Sequence, residues 1–345
     1  MKRFGKLVIF LVMFAMLSTA CATATPAAPA EPAAPAAPVE EPAAPFRVAV
    51  VTPSAINDLA FSQSIYDAMV DIQNEMGADN FQFVLSDGMF VVDDAAAAIR
   101  DYASQGYDLV IAHGSQYGAA LQEIAPDFPN VSFAWGTAGD TFGIANVFAY
   151  EAFSQEGGYV NGVLAAALNE SGVVGVVGPV EVGDAKLYVD GFVAGVVATN
   201  PDITVNVNYI GSFGDVALAS EAAQTHIGAG ADVMTGSAQM VVGAVGVAKE
   251  QGVLWFGTQA DQTSLAPEIV VACQIYDWTV VVRDIISLIN EGTMGGTAYA
   301  VSLENGGLKM IYNEGFDLPA DVKALGDAAT QGIIDGTVTI GVGGK

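Results

Sequence analysis

Four loops in the second half of the chain carry polar and aromatic side chains directly after short β-branched runs. They are residues 211–215, 235–239, 257–261 and 276–278. Phe213 can stack on a planar group, and the polar side chains of Gln259, Asp261 and Asp277 stand at equivalent positions in later loops. Because ligands of open α/β sheets sit beyond the carboxyl ends of the strands, these loops are predicted to line one side of a binding cleft.

The elements that must position these loops alternate regularly between strands and helices. Helix-length segments at residues 217–228 and 241–251 separate the β-branched runs, which indicates βαβ units and a parallel sheet. The first half repeats the pattern, with strands predicted at 47–51, 81–85, 109–112 and 131–134. We therefore predict two tandem βα lobes joined by a hinge, with the site between them. Lobe 1 takes residues 46–150 and about 278–301, and lobe 2 takes residues 151–277 and about 302–345.

The first lobe offers its own candidates at the ends of predicted strands. Asn57, Asp58 and Phe61 follow the first strand, and His113 ends the third at a position that could face the cleft and donate to a ligand. Asp58 could accept from an exocyclic amine or a ring N–H, or it could cap a helix that begins near Phe61. Trp278 begins a helix and could stack on a ligand or pack in the core.

The N-terminal segment has the composition of an export signal followed by a spacer. Residues 1–20 place Lys2, Arg3 and Lys6 ahead of an apolar stretch, as secretory signals do. Small residues lead into Cys21, which resembles a bacterial lipobox cysteine that carries a lipid; ordinary cleavage is the alternative. Residues 22–45 are rich in Ala and Pro and predict an extended spacer that reaches roughly 70 Å. Residues 21–45 are thus predicted to anchor the body and hold it off a membrane.

Charge and cysteine content narrow the possible partners. With 38 acidic and 11 basic residues the net charge is −27, which argues against nucleic-acid polymers and anionic membrane surfaces. The same charge suits a soluble extracytoplasmic monomer. Beyond Cys21 the chain has only Cys273, so no disulfide can form within the mature chain, and Cys273 is predicted to be an inert core thiol.

Catalytic motifs are missing from the sequence. The two histidines, His113 and His226, are far apart, and His226 is expected on the surface of a helix. There is no G-x-S-x-G elbow, P-loop, zinc-ligand spacing or EF-hand loop. We therefore expect a protein without enzymatic activity, cofactor or metal.

Several motifs of the second lobe carry a family resemblance. They are Gly191-Phe192 with Gly195, Asn200-Pro201-Asp202, Gly211-Ser212-Phe213 with Asp215, and Gly230-Ala231-Asp232. Their types and spacing resemble the basic membrane protein family of bacterial lipoproteins, and the likeness covers nearly the whole body. The resemblance implies a type I periplasmic-binding fold, with two Rossmann-like lobes, a hinge and an interlobe cleft. It also implies the solute-binding component of an ABC importer, with a permease as partner and a purine base or purine nucleoside as ligand.

The resemblance assigns roles to individual residues. Phe213 falls on the family's stacking aromatic, and Asp58 with Phe61 matches its first-lobe loop. Gln259 and Tyr276-Asp277 stand where the family has an acid and a lysine that hold ribose, which favours bases at least as much as nucleosides. The alternatives are a clam-type binding protein for another small solute, such as riboflavin or a sugar, and a ligand sensor that does not transport.

Overall fold

The computed structural model describes residues 44–342, so the predicted signal, Cys21 and most of the spacer lie outside the described residues. The strands are β1 (Phe46–Val51), β2 (Phe81–Ser86), β3 (Leu109–His113), β4 (Ser132–Gly136), β5 (Val147–Ala152), β6 (Val173–Gly178), β7 (Thr204–Tyr209), β8 (Val233–Gly236), β9 (Leu254–Gln259), β10 (Val270–Tyr276), β11 (Ala298–Val301) and β12 (Leu308–Tyr312). The α-helices are α1 (Phe61–Met76), α2 (Val92–Ser104), α3 (Gly118–Ile124), α4 (Gln155–Leu168), α5 (Gly183–Thr199), α6 (Val216–Gly228), α7 (Val241–Gln251), α8 (Thr279–Asn290) and α9 (Ala320–Ile334).

These strands form two six-stranded sheets with the same order of strands. The first runs β11-β5-β4-β3-β1-β2 and is parallel throughout, and the second runs β12-β10-β9-β8-β6-β7. In the second sheet only β12 is antiparallel, paired with β10. We call each sheet with its helices a lobe, lobe 1 and lobe 2. The predicted α/β fold with two parallel-sheet lobes is confirmed.

The pattern of the sequence explains why these strands are central. All five residues of β3 are buried, and the last four of β1 are too, because helices cover both faces of the sheet. A strand buried on both faces is mostly apolar, which is what the β-branched runs supply. The loops after the parallel strands carry the polar residues, and they therefore gather at one edge of each sheet.

The chain passes between the two sheets after β5, after β10 and after β11. The first of these crossings is α4, which packs against α5 through glycines. A methyl group added to Gly162 on α4 would lie 2.2 Å from the carbonyl oxygen of Phe192, and one added to Gly195 on α5 would lie 2.1 Å from that of Tyr159. The two helix backbones are therefore in direct contact.

Within residues 44–342, none of the helices combines the length and the apolar character that a membrane crossing requires.

Cys273 lies in β10 and is buried, as predicted, and burial raises the pKa of its thiol to about 12.

Candidate functional site

A small cavity lies between the two lobes. Its lining comes from the segments that follow the parallel strands. Lobe 1 contributes Pro53, Phe61, Ser115, Gln116 and Thr137, and lobe 2 contributes Asp184, Ala185, Phe213, Ala238, Gln239 and Gln259. The cavity thus has one wall from each lobe, which we call the interlobe cavity.

Each lobe supplies one phenylalanine to the interlobe cavity. Phe61 begins α1 and is backed by the imidazole of His113, with ring centroids 3.9 Å apart and planes inclined by 13°. Burial lowers the pKa of His113 to about 3, so the ring is neutral. Its Nε2 donates to the Phe61 carbonyl at 3.2 Å, which leaves Nδ1 to accept from the Tyr150 hydroxyl at 2.6 Å. Phe61 is therefore held rigidly from behind.

Phe213 stands in a different setting, in the loop between β7 and α6. Its side chain is half-buried and its carbonyl accepts from the Met240 N–H at 3.0 Å. Asp215, two residues further, caps α6 by accepting from the Leu218 N–H at 3.0 Å. The loop is thus tied down at Phe213 itself and again two residues after it.

Asp184 is the one charged residue among those that line the interlobe cavity, and it lies in the first turn of α5. Its carboxylate accepts from the hydroxyls of Thr137 and Tyr276, each at 3.0 Å, and from Nε2 of Gln259 at 3.5 Å. Burial raises its pKa, and these three donors with the Ala185 N–H oppose the rise. Because every one of these partners donates, the arrangement suits an ionised carboxylate.

Two glutamines of lobe 2 point unpaired oxygens into buried space. The Oε1 atoms of Gln239 and Gln259 are buried and have no hydrogen-bond partner. Gln259 and the neighbouring Ala238 also have positive φ angles, 75° and 71°. Residues with a side chain rarely adopt this left-handed conformation, and such strain concentrates at functional sites.

Contacts across the cleft hold the lobes together in this structure. The Thr137 hydroxyl of lobe 1 reaches Asp184 of lobe 2, as described above, and Nε2 of Gln262 donates to the Leu59 carbonyl at 3.4 Å. In a neighbouring groove that shares Gln116 and Phe213 with the interlobe cavity, a methyl group added to Gly214 would lie 2.8 Å from the ring of Phe90. A ligand in the cavity would thus touch both lobes at once.

Of the residues predicted for the site, Phe61, Phe213 and Gln259 line the interlobe cavity together. Asp58 does not: its carboxylate accepts from the N–H groups of Ala60 at 2.9 Å and of Ser62 and Gln63 at 3.1 Å. Those contacts hold the start of α1, the alternative role considered for this acid. Asn57 is exposed and lies outside the cavity lining.

The predicted aromatic and histidine ligands lie behind the cavity wall. His113 and Trp278 are fully buried, and the indole Nε1 of Trp278 donates to the Ser64 hydroxyl at 2.8 Å. Tyr276 is buried too, and it reaches the site only through its bond to Asp184. These three side chains support the cavity wall from behind. The strand-end argument predicts that they contact a ligand, but tertiary packing buries them instead.

The two other predicted acids line a separate groove. Asp261 and Asp277 lie there with Asp67, Asp71 and Lys309. Asp277 pairs with Lys309 at 2.6 Å, and hydrogen bonds from Lys309 and Thr279 outweigh its partial burial and lower its pKa. We call this the outer groove; Gln259 borders both spaces.

Sequence reasoning did not name Asp184, Thr137, Ser115 or Gln116 as site residues, and it included Gln239 only as the end of the predicted cleft loop 235–239. The signal for Asp184 was available, because residue 184 follows β6 at the same edge of the sheet as the loops after β7, β8 and β9. Extending the strand-end argument to every strand of both lobes would have included all five residues.

Comparison with known proteins agrees with this architecture. The model of a protein family described as ABC transporter substrate-binding protein, PnrA-like, matches residues 46–335. A purine-binding protein of Brucella abortus is 28% identical over 243 residues, which cover 70% of this chain and 68% of that protein. The nucleoside-binding protein BmpA of Lactococcus lactis is 27% identical over 319 residues, 85% of this chain and 88% of its own. A solute-binding protein structure from Conexibacter woesei superposes with a TM-score of 0.69 at 24% identity, covering 85% of this chain and 98% of that one.

Proposed function

Since this chain belongs to the family of PnrA-like ABC transporter substrate-binding proteins, we propose that it captures a purine base or purine nucleoside between its lobes and delivers it to a permease. The predicted family and the predicted periplasmic-binding fold are both confirmed. Members of this family are extracytoplasmic solute-binding proteins rather than enzymes. Our proposal concerns the class of ligand, its delivery to a permease and the lipid anchor.

The observation that carries the ligand class is the composition of the interlobe cavity. One phenylalanine from each lobe lines it, together with a single carboxylate and two buried amides with free oxygens. Aromatic side chains favour a flat, conjugated ligand, and the acceptors favour one with N–H groups. Purines combine both features. The names of the Brucella and Lactococcus relatives support the same class.

Capture follows from the geometry of the two lobes. Phe61 and Phe213 belong to different lobes, so a ligand can contact both only when the lobes are closed. Ligand binding therefore favours the closed form at the hinge, since a ligand shifts an equilibrium toward the state that it binds more tightly. The permease would recognise that closed form.

Titration of adenine, guanine, adenosine and guanosine by calorimetry tests the ligand class. We expect purines to bind more tightly than pyrimidines and hexoses, and free bases to bind at least comparably to nucleosides. The support for bases is that Asp261 and Asp277, the acids available for ribose hydroxyls, lie in the outer groove rather than in the interlobe cavity.

Uridine and glucose serve as controls in the same titration. A nucleoside preference beyond about a hundredfold would mean that ribose is held by other residues, because a site that binds hydroxyls leaves polar groups unpaired around a bare base. Absence of binding by all four purines would exclude the proposed ligand and favour another small solute, such as riboflavin or a sugar.

The proposed anchor is tested by Cys21→Ala. The lipid attached at Cys21 would be the sole link to the membrane for a body with no helix suited to span it within residues 44–342. We expect the variant to appear in the surrounding fluid with purine binding intact, as fractionation and titration can measure. A variant that stays in the membrane fraction would contradict the lipid anchor.

A further inference from the structure

We propose that Asp184, Gln239 and Gln259 make the interlobe cavity selective for ligands that donate hydrogen bonds, so that purines with an exocyclic amino group bind more tightly than purines without one. This inference rests on the proposed function and specifies the chemical subclass of the ligand. The three residues share one property: each lines the interlobe cavity and carries a buried side-chain oxygen that can accept a hydrogen bond.

The two glutamine oxygens lack donors in the protein itself. Gln259 is 2% exposed and Gln239 is 8% exposed, and neither Oε1 has a hydrogen-bond partner. A buried acceptor without a donor is destabilising, because it has lost its water and gained nothing in return. Both residues line the interlobe cavity, where a ligand can supply the missing donor.

The orientation of the Gln259 amide follows from its neighbour. Its Nε2 faces the carboxylate of Asp184, which accepts but cannot donate when ionised, so Oε1 must be the atom left free. The contact is 3.5 Å long, and it is the weakest of those made to Asp184. The same carboxylate oxygen also accepts from the Tyr276 hydroxyl at 3.0 Å, so a ligand N–H that reaches it would take the place of the longer Gln259 contact.

The charge of the lining supports the same selection. Asp184 is its only charged residue, and the lining includes no lysine or arginine. Phosphorylated ligands would meet a carboxylate with no compensating cation, so nucleotides should be excluded. Ser115 and Gln116 are half-buried and can donate or accept as a ligand requires, so they do not counter the preference set by the buried oxygens.

An exocyclic amine matches the oxygens of Asp184, Gln239 and Gln259 better than a carbonyl or a methyl group does. Its two N–H bonds can reach two acceptors, whereas a carbonyl oxygen would face their lone pairs and a methyl group would leave them unpaired. The loss of one such hydrogen bond to a buried acceptor corresponds to about a 5- to 150-fold loss of affinity.

The first experiment compares ligands on the unaltered protein. Adenine and 6-methylpurine have nearly the same size and ring system, and they differ in having an amine or a methyl group. We expect adenine to bind at least about tenfold more tightly, and 2,6-diaminopurine to bind at least as tightly as adenine. Equal binding of adenine and 6-methylpurine would overturn the inference and leave the proposed function standing. Failure of every purine to bind would overturn both.

The second experiment uses Asp184→Asn, with Asp190→Asn as the matched control. Both changes remove one carboxylate from α5, but Asp190 pairs with Lys186 and lies outside the interlobe cavity. We expect Asp184→Asn to weaken adenine binding more than 6-methylpurine binding, so that the ratio of the two affinities falls toward one.

Asp190→Asn is expected to leave both affinities unchanged. An equal loss of affinity for the two purines in Asp184→Asn would indicate that Asp184 only supports the fold of the cavity, and would contradict its role in selection. If Asp184→Asn fails to fold, the comparison of adenine with 6-methylpurine still decides the inference by itself.

Discussion

Trp278→Ala is expected to lower the free energy of unfolding by about 3–5 kcal/mol and to leave the residues that line the interlobe cavity in place. The indole is fully buried and packs edge-to-face against the rings of Tyr150, Tyr276 and His113, with centroids 5.0, 5.3 and 5.5 Å away. Truncation would leave a cavity among these rings and would remove the hydrogen bond to Ser64. Urea unfolding without ligand measures the loss.

Trp278→Phe is the matched control for this prediction. It retains an aromatic ring but lacks the N–H that reaches Ser64, so we expect a smaller loss of stability than for Trp278→Ala. Purine affinity, measured at a temperature where each variant is folded, should change little. A Trp278→Ala variant that keeps its stability but loses purine binding would restore Trp278 as the ligand contact that the sequence suggested.

Most of the fold could be predicted from the sequence, because the apolar runs that mark its strands are local patterns. Strands buried on both faces read as apolar runs, and the strand predicted at 109–112 is observed as β3, Leu109–His113. The antiparallel strand β12 was not predicted. It has the sequence LKMIY and is mostly half-buried at the edge of its sheet, so it carries no continuous apolar run.

The site residues could be predicted only in part, because the position of a residue in the sequence does not determine whether its side chain is buried. The strand-end argument places both Gln259 and Trp278 beyond strands, yet Gln259 lines the interlobe cavity and Trp278 packs behind it. The expectation of a surface position for His226 was wrong. It is buried with its Nε2 donating to the Val176 carbonyl at 3.1 Å, and a distant backbone partner of that kind cannot be read from a helix alone.

Asp58 illustrates an ambiguity of a different kind. An acid three residues before a helix can cap that helix or bind a ligand, and both roles require the same residue at the same place. The N–H groups of Ser62 and Gln63 occupy its carboxylate in this structure. The acid that faces the interlobe cavity is Asp184, whose residue type gives no hint of burial in so acidic a chain.

Phe213→Ala is expected to weaken purine binding by about 1–3 kcal/mol, roughly 5- to 150-fold, because the ring would no longer stack on the base. Phe213 lines the interlobe cavity from lobe 2 and is only half-buried, in a loop preceded by Gly211 and Ser212. Its removal should therefore lower the stability of the ligand-free protein by less than the 3–5 kcal/mol typical of a truncated core phenylalanine. Calorimetric titration with adenine and thermal unfolding without ligand give the two quantities.

Phe192→Ala provides the matched comparison, since Phe192 belongs to the same lobe and is fully buried in the core. The two variants remove the same atoms, so any difference between them reports position rather than residue type. We expect Phe192→Ala to lose mainly stability and Phe213→Ala to lose mainly affinity. Unchanged adenine affinity together with a large loss of stability in Phe213→Ala would make Phe213 a core residue, and the base would then have to be held by Phe61 and the polar wall alone.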